Sequence, residues 1–315
     1  MNSSADDAAP DQLRAQLDTL TTEAFRPELA DVDRLNTLAI ARLMNAEDAA
    51  VPTAVADQLP RVAAAIDAIA ARMADGGRLI YAGAGTAGRL GVLDASECPP
   101  TFNADPEQVV GLIAGGPSAL VTSAEAAEDS GELAAADLAA LKLTDRDSVV
   151  GVSASGRTPY AVGAVTYARE HGALTVGLAC NAGSALAGAA EHGIEVVVGP
   201  ELLTGSTRLK AGTAQKLVLN MISTLTMIRL GKTYGNLMVD LRASNDKLRA
   251  RSRRIVALAT GAPEERIEEA LAATDGEVKD AILTLVADVD APAARRLLAD
   301  ANGHLRVAID AARTA

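Results

Sequence analysis

The sequence has 315 residues, 49% of them hydrophobic and only 2% aromatic, which is enough for one large or two smaller globular domains. Its 29 basic and 41 acidic side chains give a formal net charge of −12, which argues against nonspecific binding to nucleic acid or to acidic membranes. The two cysteines and three histidines lack metal-ligand spacing, which argues against a disulfide framework and a metal site. Because the polar start shows no signal-peptide pattern, we expect a cytoplasmic protein.

Helices are predicted before the first strand. Residues 1–24 are polar and are expected to be frayed, whereas the pattern across residues 31–74 is helical. Pro52 and Pro60 interrupt this helical pattern, and Gly76 ends it.

Five short apolar runs follow, and segments of helical character separate them. Fully apolar strands that alternate with helices indicate a parallel sheet covered on both faces. The predicted fold class is therefore α/β: a doubly wound five-stranded parallel sheet with N-terminal helices and a small all-α C-terminal domain. The predicted domain boundaries are 1–65, 66–232 and 233–315. The predicted strands lie at 78–82, 108–114, 147–154, 174–179 and 194–199.

A glycine loop follows the first predicted strand. Residues 83–88, GAGTAG, match the G-x-G-x-x-G spacing of a phosphate-binding turn between a strand and a helix. A dinucleotide site would also need an acidic residue at the end of the second strand, which instead ends LIAGGP. On this loop alone, a site for one phosphate and a structural turn both stay open, with Thr86 as a phosphate ligand or as an N-cap.

Two further loops carry hydroxyl groups. Residues 151–159, GVSASGRTP, follow the third strand, and residues 204–210, TGSTRLK, lead into a long helix predicted from about Arg208. Ligands of open α/β sheets gather at the carboxyl ends of strands, so hydroxyl loops at two strand ends favour an anion site. The structural alternative is N-capping by Ser155 or Thr158. At the second loop, the Lys210 ammonium is a candidate partner for a phosphate or carboxylate.

Two acidic segments are candidates for proton transfer. Glu97 precedes Pro99 and Pro100, which are predicted to end its helix, so the negative end of the helix dipole would disfavour the ionised carboxylate. We hypothesise that Glu97 serves as an acid. Glu125 and Glu128 are predicted to share a helix face, where one of them could serve as a base. In each case the structural alternative is a solvated surface carboxylate.

Taken together, these motifs resemble the N-acetylmuramic acid 6-phosphate etherase family, bacterial enzymes of the sugar-isomerase (SIS) fold related to the glucokinase regulatory protein. The resemblance covers nearly the whole chain from about residue 24. It implies cleavage of the D-lactyl ether of N-acetylmuramate 6-phosphate, giving N-acetylglucosamine 6-phosphate and D-lactate. It also implies no metal or organic cofactor, and a homodimer with a ubiquitin-associated-like C-terminal helical domain. The matching segments are GAGTAGRLGVLDASECPPTF, VVGLIAGG, EAAEDS, SASGRTPY, GPELLTGSTRLKAGTAQKLVLNMIST and GKTYGNLMVDLRASNDKL.

The resemblance also implies roles for individual residues. Glu128 would be the base that removes the C2 proton of the open-chain sugar, and Glu97 would donate a proton to the departing lactate oxygen. The family loop usually reads GAGTSGR, so Ala87 stands in place of a serine and predicts weaker substrate binding. The residues predicted to bind the sugar phosphate are Gly85, Thr86, Ser153, Ser155, Gly156, Thr158, Ser206, Thr207 and Lys210.

Two other functions stay open. A non-catalytic regulator that binds a sugar phosphate would keep the phosphate loops but would have no need of both Glu97 and Glu128. An aldose–ketose isomerase of the same fold would need a base near C2 but would release no lactate. The presence of both glutamates favours the etherase.

Overall fold

The computed structural model describes residues 17, 19–122, 124–241 and 246–314. The fraying predicted for residues 1–24 therefore lies largely outside the described residues, but it is wrong for residues 19–24, where a 3₁₀ turn over Thr21–Glu23 buries Thr22. The chain divides into two compact units. The first unit contains the residues up to Asp94 together with Val110–Ile222, and the second contains Ala95–Val109 together with the chain from Ser223 onward. The domain boundaries taken from the sequence stay predictions.

Three helices precede the sheet: α1 (Thr37–Asp48), α2 (Val51–Ala56) and α3 (Leu59–Ala74). Pro52 and Pro60 lie in the first turns of α2 and α3, where the missing N–H removes no helical hydrogen bond. The two prolines therefore separate helices, as the sequence predicts. Helix α3 buries one stripe of apolar side chains, which includes Val62, Ile66 and Ile69.

Five strands form the sheet of the first unit: β1 (Leu79–Gly83), β2 (Val109–Ile113), β3 (Ser148–Ser153), β4 (Leu174–Ala179) and β5 (His192–Glu195). They lie in the order β2-β1-β3-β4-β5. The pairings β1–β3, β3–β4 and β4–β5 are parallel, and the predicted five-stranded parallel sheet is confirmed. The last strand begins at His192 and ends at Glu195, which differs from the predicted 194–199, because its pairing with β4 stops opposite Ala179.

Helices cover both faces of this sheet. Alternate residues of a strand face opposite sides, and on one side Ile80 of β1 packs in a buried cluster with Leu138 and Tyr160. Leu138 belongs to the helix over Gly131–Ala140 and Tyr160 to the helix over Pro159–Glu170. The helices that follow β1 are α4 (Gly85–Phe102), α5 (Gly131–Ala140), α6 (Pro159–Glu170), α7 (Ala185–Ala189) and α8 (Lys210–Arg229).

The opposite face of β1 is tied to α4 and α8 by one buried carboxylate. The Tyr81 hydroxyl donates a hydrogen bond of 2.8 Å to Asp94 Oδ2 of α4. The Asn220 side-chain amide of α8 donates one of 2.7 Å to Asp94 Oδ1. Because Asp94 is only 6% exposed, these bonds satisfy a carboxylate that would otherwise be costly to bury, and they fix both helices against the strand.

Helix α4 does not end where the sequence predicts. It continues through Pro99 and Pro100 to Phe102, so the expectation that these prolines end the helix at Glu97 is wrong. The proline ring holds φ near the helical value, so both prolines fit the helical backbone, although their missing N–H groups cost the helix two hydrogen bonds in its last turn. Glu97 lies before that last turn, and the dipole effect falls off within it, so the dipole argument for an acidic Glu97 loses its basis.

The second unit contains a short hairpin and a helical region. Its strands β6 (Thr233–Tyr234) and β7 (Leu237–Met238) are antiparallel and were not predicted, since two residues are too short for an alternating pattern. Asp240 accepts hydrogen bonds of 3.0 and 2.9 Å from Lys232 and Lys279, which tie the chain after the hairpin to the helix over Val278–Ala287. The predicted C-terminal helical region is confirmed. Its helices are α9 (Asp246–Thr260), α10 (Glu264–Ala273), α11 (Val278–Ala287), α12 (Ala291–Asp300) and α13 (Leu305–Thr314).

In the part of the chain that the structure describes, no helix combines the length and the apolar character needed to cross a bilayer.

Candidate functional site

A cavity of about 370 Å³ lies at the carboxyl ends of β1 and β3 in the first unit. This is the size range of small-molecule sites, and the place where open α/β sheets bind ligands. Among the described residues that line it there is no lysine, arginine or histidine, so hydroxyl and N–H groups are the donors available to an anion. Six of the predicted binding residues line the cavity: Gly85, Thr86, Ser153, Ser155, Thr158 and Thr207.

The glycine loop after β1 brings the start of α4 to the cavity. A Cβ on Gly88 would lie 2.6 Å from the Gly83 carbonyl oxygen, so only glycine permits this close approach. Gly85, where α4 begins, has a φ of +52°, which also favours glycine. The first N–H groups of a helix have no intrahelical acceptor, and here they belong to residues of the cavity wall. The loop therefore suits a phosphate.

The loop after β3 presents a cluster of hydroxyl groups. Ser153 Oγ lies 2.7 Å from Thr158 Oγ1 and 3.2 Å from Ser155 Oγ. Although Thr158 stands at the N-cap of α6, its side chain makes no capping hydrogen bond. The capping alternative raised by the sequence thus fails for Thr158, and its hydroxyl faces the same cavity as those of Ser153 and Ser155.

Glu128 supplies a carboxylate to the cavity wall. The sequence predicts it on an α-helical face with Glu125, but the structure has a 3₁₀ turn over Glu125–Ala127, and Glu128 follows that turn. The expectation of a shared α-helical face is therefore wrong. The Glu128 carbonyl oxygen accepts a 3.0 Å hydrogen bond from the Tyr160 N–H, which anchors its backbone beside the first turn of α6. The residue is exposed, so the carboxylate is accessible from the cavity.

An N-terminal segment, which includes Leu17, Leu20 and Glu23, forms another part of the wall. Asn181, which follows β4 and is 3% exposed, holds this segment in place. Its side-chain amide donates 3.0 Å hydrogen bonds to Thr22 Oγ1 and to the Ala154 carbonyl oxygen of the β3 loop. Sequence reasoning missed Glu23, because no local pattern connects residue 23 with the strand ends.

The start of α8 is occupied by groups of the protein itself. The buried Glu201 carboxylate accepts the Lys210 and Ala211 N–H groups at 3.0 and 2.9 Å. The Lys210 ammonium donates 2.8 Å to Glu47, which also pairs with Arg26 at 2.7 Å. The role predicted for Lys210, as partner of a substrate anion, stays a prediction, because in this structure the ammonium is paired with a protein carboxylate and Lys210 is not among the residues of the cavity wall.

Three other predicted residues are not among the residues of the cavity wall. Glu97 is exposed on α4 and belongs to the second unit. Gly156 has a φ of +68°, and a Cβ there would lie 2.3 Å from Ser184 Cβ, so it shapes the β3 loop. Ser206 lies in the turn before α8. The binding roles given to Gly156 and Ser206 stay predictions.

Both cysteines are buried. Cys98 and Cys180 form no disulfide with each other. Burial, with the nearby Glu201 carboxylate, raises the pKa of the Cys180 thiol to about 12. At neutral pH Cys180 therefore carries no thiolate that could act as a nucleophile.

The chain matches two family models and resembles solved structures. A family model described as the glucokinase regulatory protein N-terminal SIS domain matches residues 61–169, and one described as the SIS domain matches residues 124–225. Among solved structures, a phosphoheptose isomerase from Francisella tularensis is 18% identical with a TM-score of 0.47, over 62% of this chain and 100% of that one.

Curated relatives align over almost their whole length. The N-acetylmuramic acid 6-phosphate etherase of Streptomyces coelicolor is 80% identical over 300 residues, which are 95% of this chain and 96% of that protein. The etherase of Rubrobacter xylanophilus is 61% identical over 294 residues, 93% of this chain and 97% of that protein. With identity this high across nearly the full length, the chain belongs to the N-acetylmuramic acid 6-phosphate etherase family.

Proposed function

We propose that this protein cleaves the D-lactyl ether of N-acetylmuramate 6-phosphate and yields N-acetylglucosamine 6-phosphate and D-lactate. The observation that carries this proposal is the 80% identity to the Streptomyces coelicolor etherase across 95% of the chain. The chemistry of the cavity supports it, because one wall combines neutral donors suited to a phosphate with a carboxylate suited to proton transfer.

The phosphate is proposed to bind between the two loops at the strand ends. Gly85 and Thr86 would contribute the N–H groups of the first turn of α4. Ser153, Ser155 and Thr158 would contribute hydroxyl donors from the loop after β3. Such an arrangement binds a dianion without a cationic side chain, because several oriented N–H and O–H dipoles share its charge.

The reaction is proposed to proceed by elimination and then hydration. In the open-chain sugar the C3 ether is β to the C1 aldehyde, so removal of the C2 proton by Glu128 gives an enolate-like species. The C3–O bond then breaks, and a carboxylic acid protonates the departing lactate oxygen. Water adds at C3 with the two roles reversed, which returns the acid and the base to their starting states. Over both steps one water is consumed for each ether that is cleaved.

The identity of the acid is a proposal that two variants can decide. We assign the role to Glu97 on the family resemblance, while Glu23 is a second carboxylate of the cavity wall. If Glu97 is the acid, Glu97→Gln abolishes lactate release and Glu23→Gln leaves most of it. General acid catalysis typically contributes about 10²–10⁴-fold. A loss of that size in Glu23→Gln, with most activity kept in Glu97→Gln, would give the role to Glu23.

We further propose a cytoplasmic homodimer, again on the family resemblance. Sedimentation velocity of the purified full chain tests this, with an expected mass of about twice the 32.1 kDa of one chain. A species at the mass of one chain across micromolar concentrations would contradict the proposal.

The proposed reaction has a direct test. Purified protein is incubated with N-acetylmuramate 6-phosphate, and D-lactate is assayed with a lactate dehydrogenase. Release of lactate together with N-acetylglucosamine 6-phosphate is the expected result. Conversion of N-acetylglucosamine 6-phosphate to a ketose would favour an aldose–ketose isomerase. Binding of either sugar phosphate without turnover would favour a regulator.

A further inference from the structure

Gln215 is a buried amide side chain of the cavity wall. It lies on α8, is 1% exposed, and lines the cavity. Within the described residues its Nε2 finds no hydrogen-bond partner. Buried amide N–H groups are nearly always paired in folded proteins, since leaving one unpaired costs free energy. A donor of this kind at a cavity therefore indicates an acceptor that arrives with the ligand.

The position of Gln215 separates it from the proposed phosphate site. Gly212, one turn earlier on α8, lies against Thr86, since a Cβ on Gly212 would be 3.4 Å from Thr86 Cγ2. Residues three apart lie on the same helix face, so Gln215 is displaced from this contact by roughly 5 Å along the axis of α8. In the proposed substrate, C6 with its phosphate and C3 with its lactyl group lie on different parts of the hexose.

The charges of the cavity indicate which acceptor needs this donor. Glu23 and Glu128 place two carboxylates in the wall, and none of the described lining residues is a cation. The lactyl carboxylate would be the second anion of the substrate, and near these glutamates it requires a donor. Outside the loops after β1 and β3, the side-chain N–H and O–H donors of the described wall are Thr207 and Gln215. Of the two, Gln215 is the one whose donor is buried without a partner in the described chain.

We propose that Gln215 Nε2 donates a hydrogen bond to the lactyl carboxylate of the substrate. This inference rests on the proposed etherase function and adds a residue that selects for the lactyl group. Gln215 takes no part in proton transfer. It orients the ether and distinguishes the substrate from its product, which has the same phosphate and acetamido group but no lactyl carboxylate.

Two variants separate this role from a structural one. Gln215→Met keeps the shape but removes the donor, and Gln215→Glu replaces the donor with a charged acceptor. We expect kcat/KM for lactate release to fall at least tenfold in Gln215→Met and further in Gln215→Glu, where two carboxylates would meet. The melting temperature of ligand-free Gln215→Met should not fall, because no hydrogen bond of Nε2 within the described protein is lost. A fall in melting temperature together with the activity would indicate a structural role.

The decisive experiment compares two values for Gln215→Met: its affinity for N-acetylglucosamine 6-phosphate, measured by calorimetric titration, and its kcat/KM for cleavage of the lactyl ether. The affinity should stay within about twofold of wild type, whereas kcat/KM should fall. Thr226→Val is the matched control, since Thr226 Oγ1 on the same helix is also buried without a partner in the described chain but does not line the cavity. It should leave both values unchanged.

Two results would overturn the inference: unchanged lactate release in Gln215→Met, or an equal loss of affinity for N-acetylglucosamine 6-phosphate. Either result is read only against a wild-type protein that releases lactate. A wild type without lactate release would instead refute the proposed function.

Discussion

Two sets of polar side chains in the first unit, each with a member on the first turns of α8, differ in whether the protein itself supplies their hydrogen-bond partners. The ion-pair cluster of Arg26, Glu47 and Lys210 joins charges to each other at 2.7 and 2.8 Å. In the cavity wall, by contrast, the buried Gln215 Nε2 has no partner within the described protein. Polar groups that satisfy each other hold the fold together, whereas groups left unsatisfied at a cavity are available to a ligand.

The largest effect is expected from a change in the cavity wall. Glu128→Gln should reduce lactate release by about 10²–10⁴-fold, because an amide cannot remove the C2 proton. Its thermal stability should stay near wild type, since the residue is exposed. Glu132→Gln, an exposed glutamate of the first turn of α5, is the matched control and should keep full activity. Activity in Glu128→Gln equal to that of the control would remove Glu128 from the mechanism.

The next prediction tests the ion-pair cluster. Lys210→Met should lower the free energy of unfolding by about 1–3 kcal/mol, because Glu47 loses one of two cationic partners while the Lys210 side chain is only 6% exposed. Urea denaturation measures the loss, and calorimetric titration with inorganic phosphate should give an affinity close to wild type. If phosphate binding disappears while stability is unchanged, Lys210 is a ligand after all and the comparison fails.

A smaller effect is expected from Ala87→Ser. Ala87 lines the cavity beside Thr86, so a hydroxyl there could add a donor to the proposed phosphate site. One such hydrogen bond contributes about 1 kcal/mol, which corresponds to a KM lowered about fivefold at similar kcat. Steady-state lactate release measures both constants. A large fall in kcat/KM would show that the cavity has no room for the hydroxyl.

The smallest effect is a pH dependence of stability that the ion-pair cluster should produce. Hydrogen bonds from Arg26, and then from Lys210, hold the pKa of the Glu47 carboxyl below its usual range. A carboxyl with a lowered folded-state pKa stabilises the protein above its unfolded pKa of about 4.3, and this contribution is lost as pH falls through the folded value. Urea denaturation at pH 6 and pH 4 should therefore show that the free energy of unfolding falls less between these two pH values in Lys210→Met than in wild type. Equal losses would mean that Lys210 does not influence Glu47.

Much of the fold is readable from local sequence patterns. The five apolar runs correspond to five strands because strands covered on both faces need apolar side chains throughout. The GAGTAG loop was interpretable because Gly83 and Gly88 meet closely and Gly85 takes a positive φ, and both constraints require glycine. The hairpin at Thr233–Met238 lacked such a signal, since each strand has two residues.

The candidate site is less readable from the sequence. Thr86, Ser153 and Thr158 could be selected because they follow strands, and parallel strands end at the same edge of a sheet. Gln215 had a weak signal, since its spacing of three from Gly212 places both on one face of α8. Glu23 and Glu201 had none, because each acts on a part of the chain that local patterns do not connect with it.

By itself, the sequence determined the parallel sheet, the glycine loop and the hydroxyl loops at the strand ends, because these depend on periodicity and on backbone conformations that only certain residues adopt. Only the tertiary structure decided which polar groups pair within the protein and which face the cavity. Glu47 and Lys210 are 163 residues apart in the chain but 2.8 Å apart in space. Pairing depends on distance in space. Lys210, a cation that would suit a phosphate, therefore bonds a protein carboxylate, while the neutral Gln215 keeps a donor for the ligand.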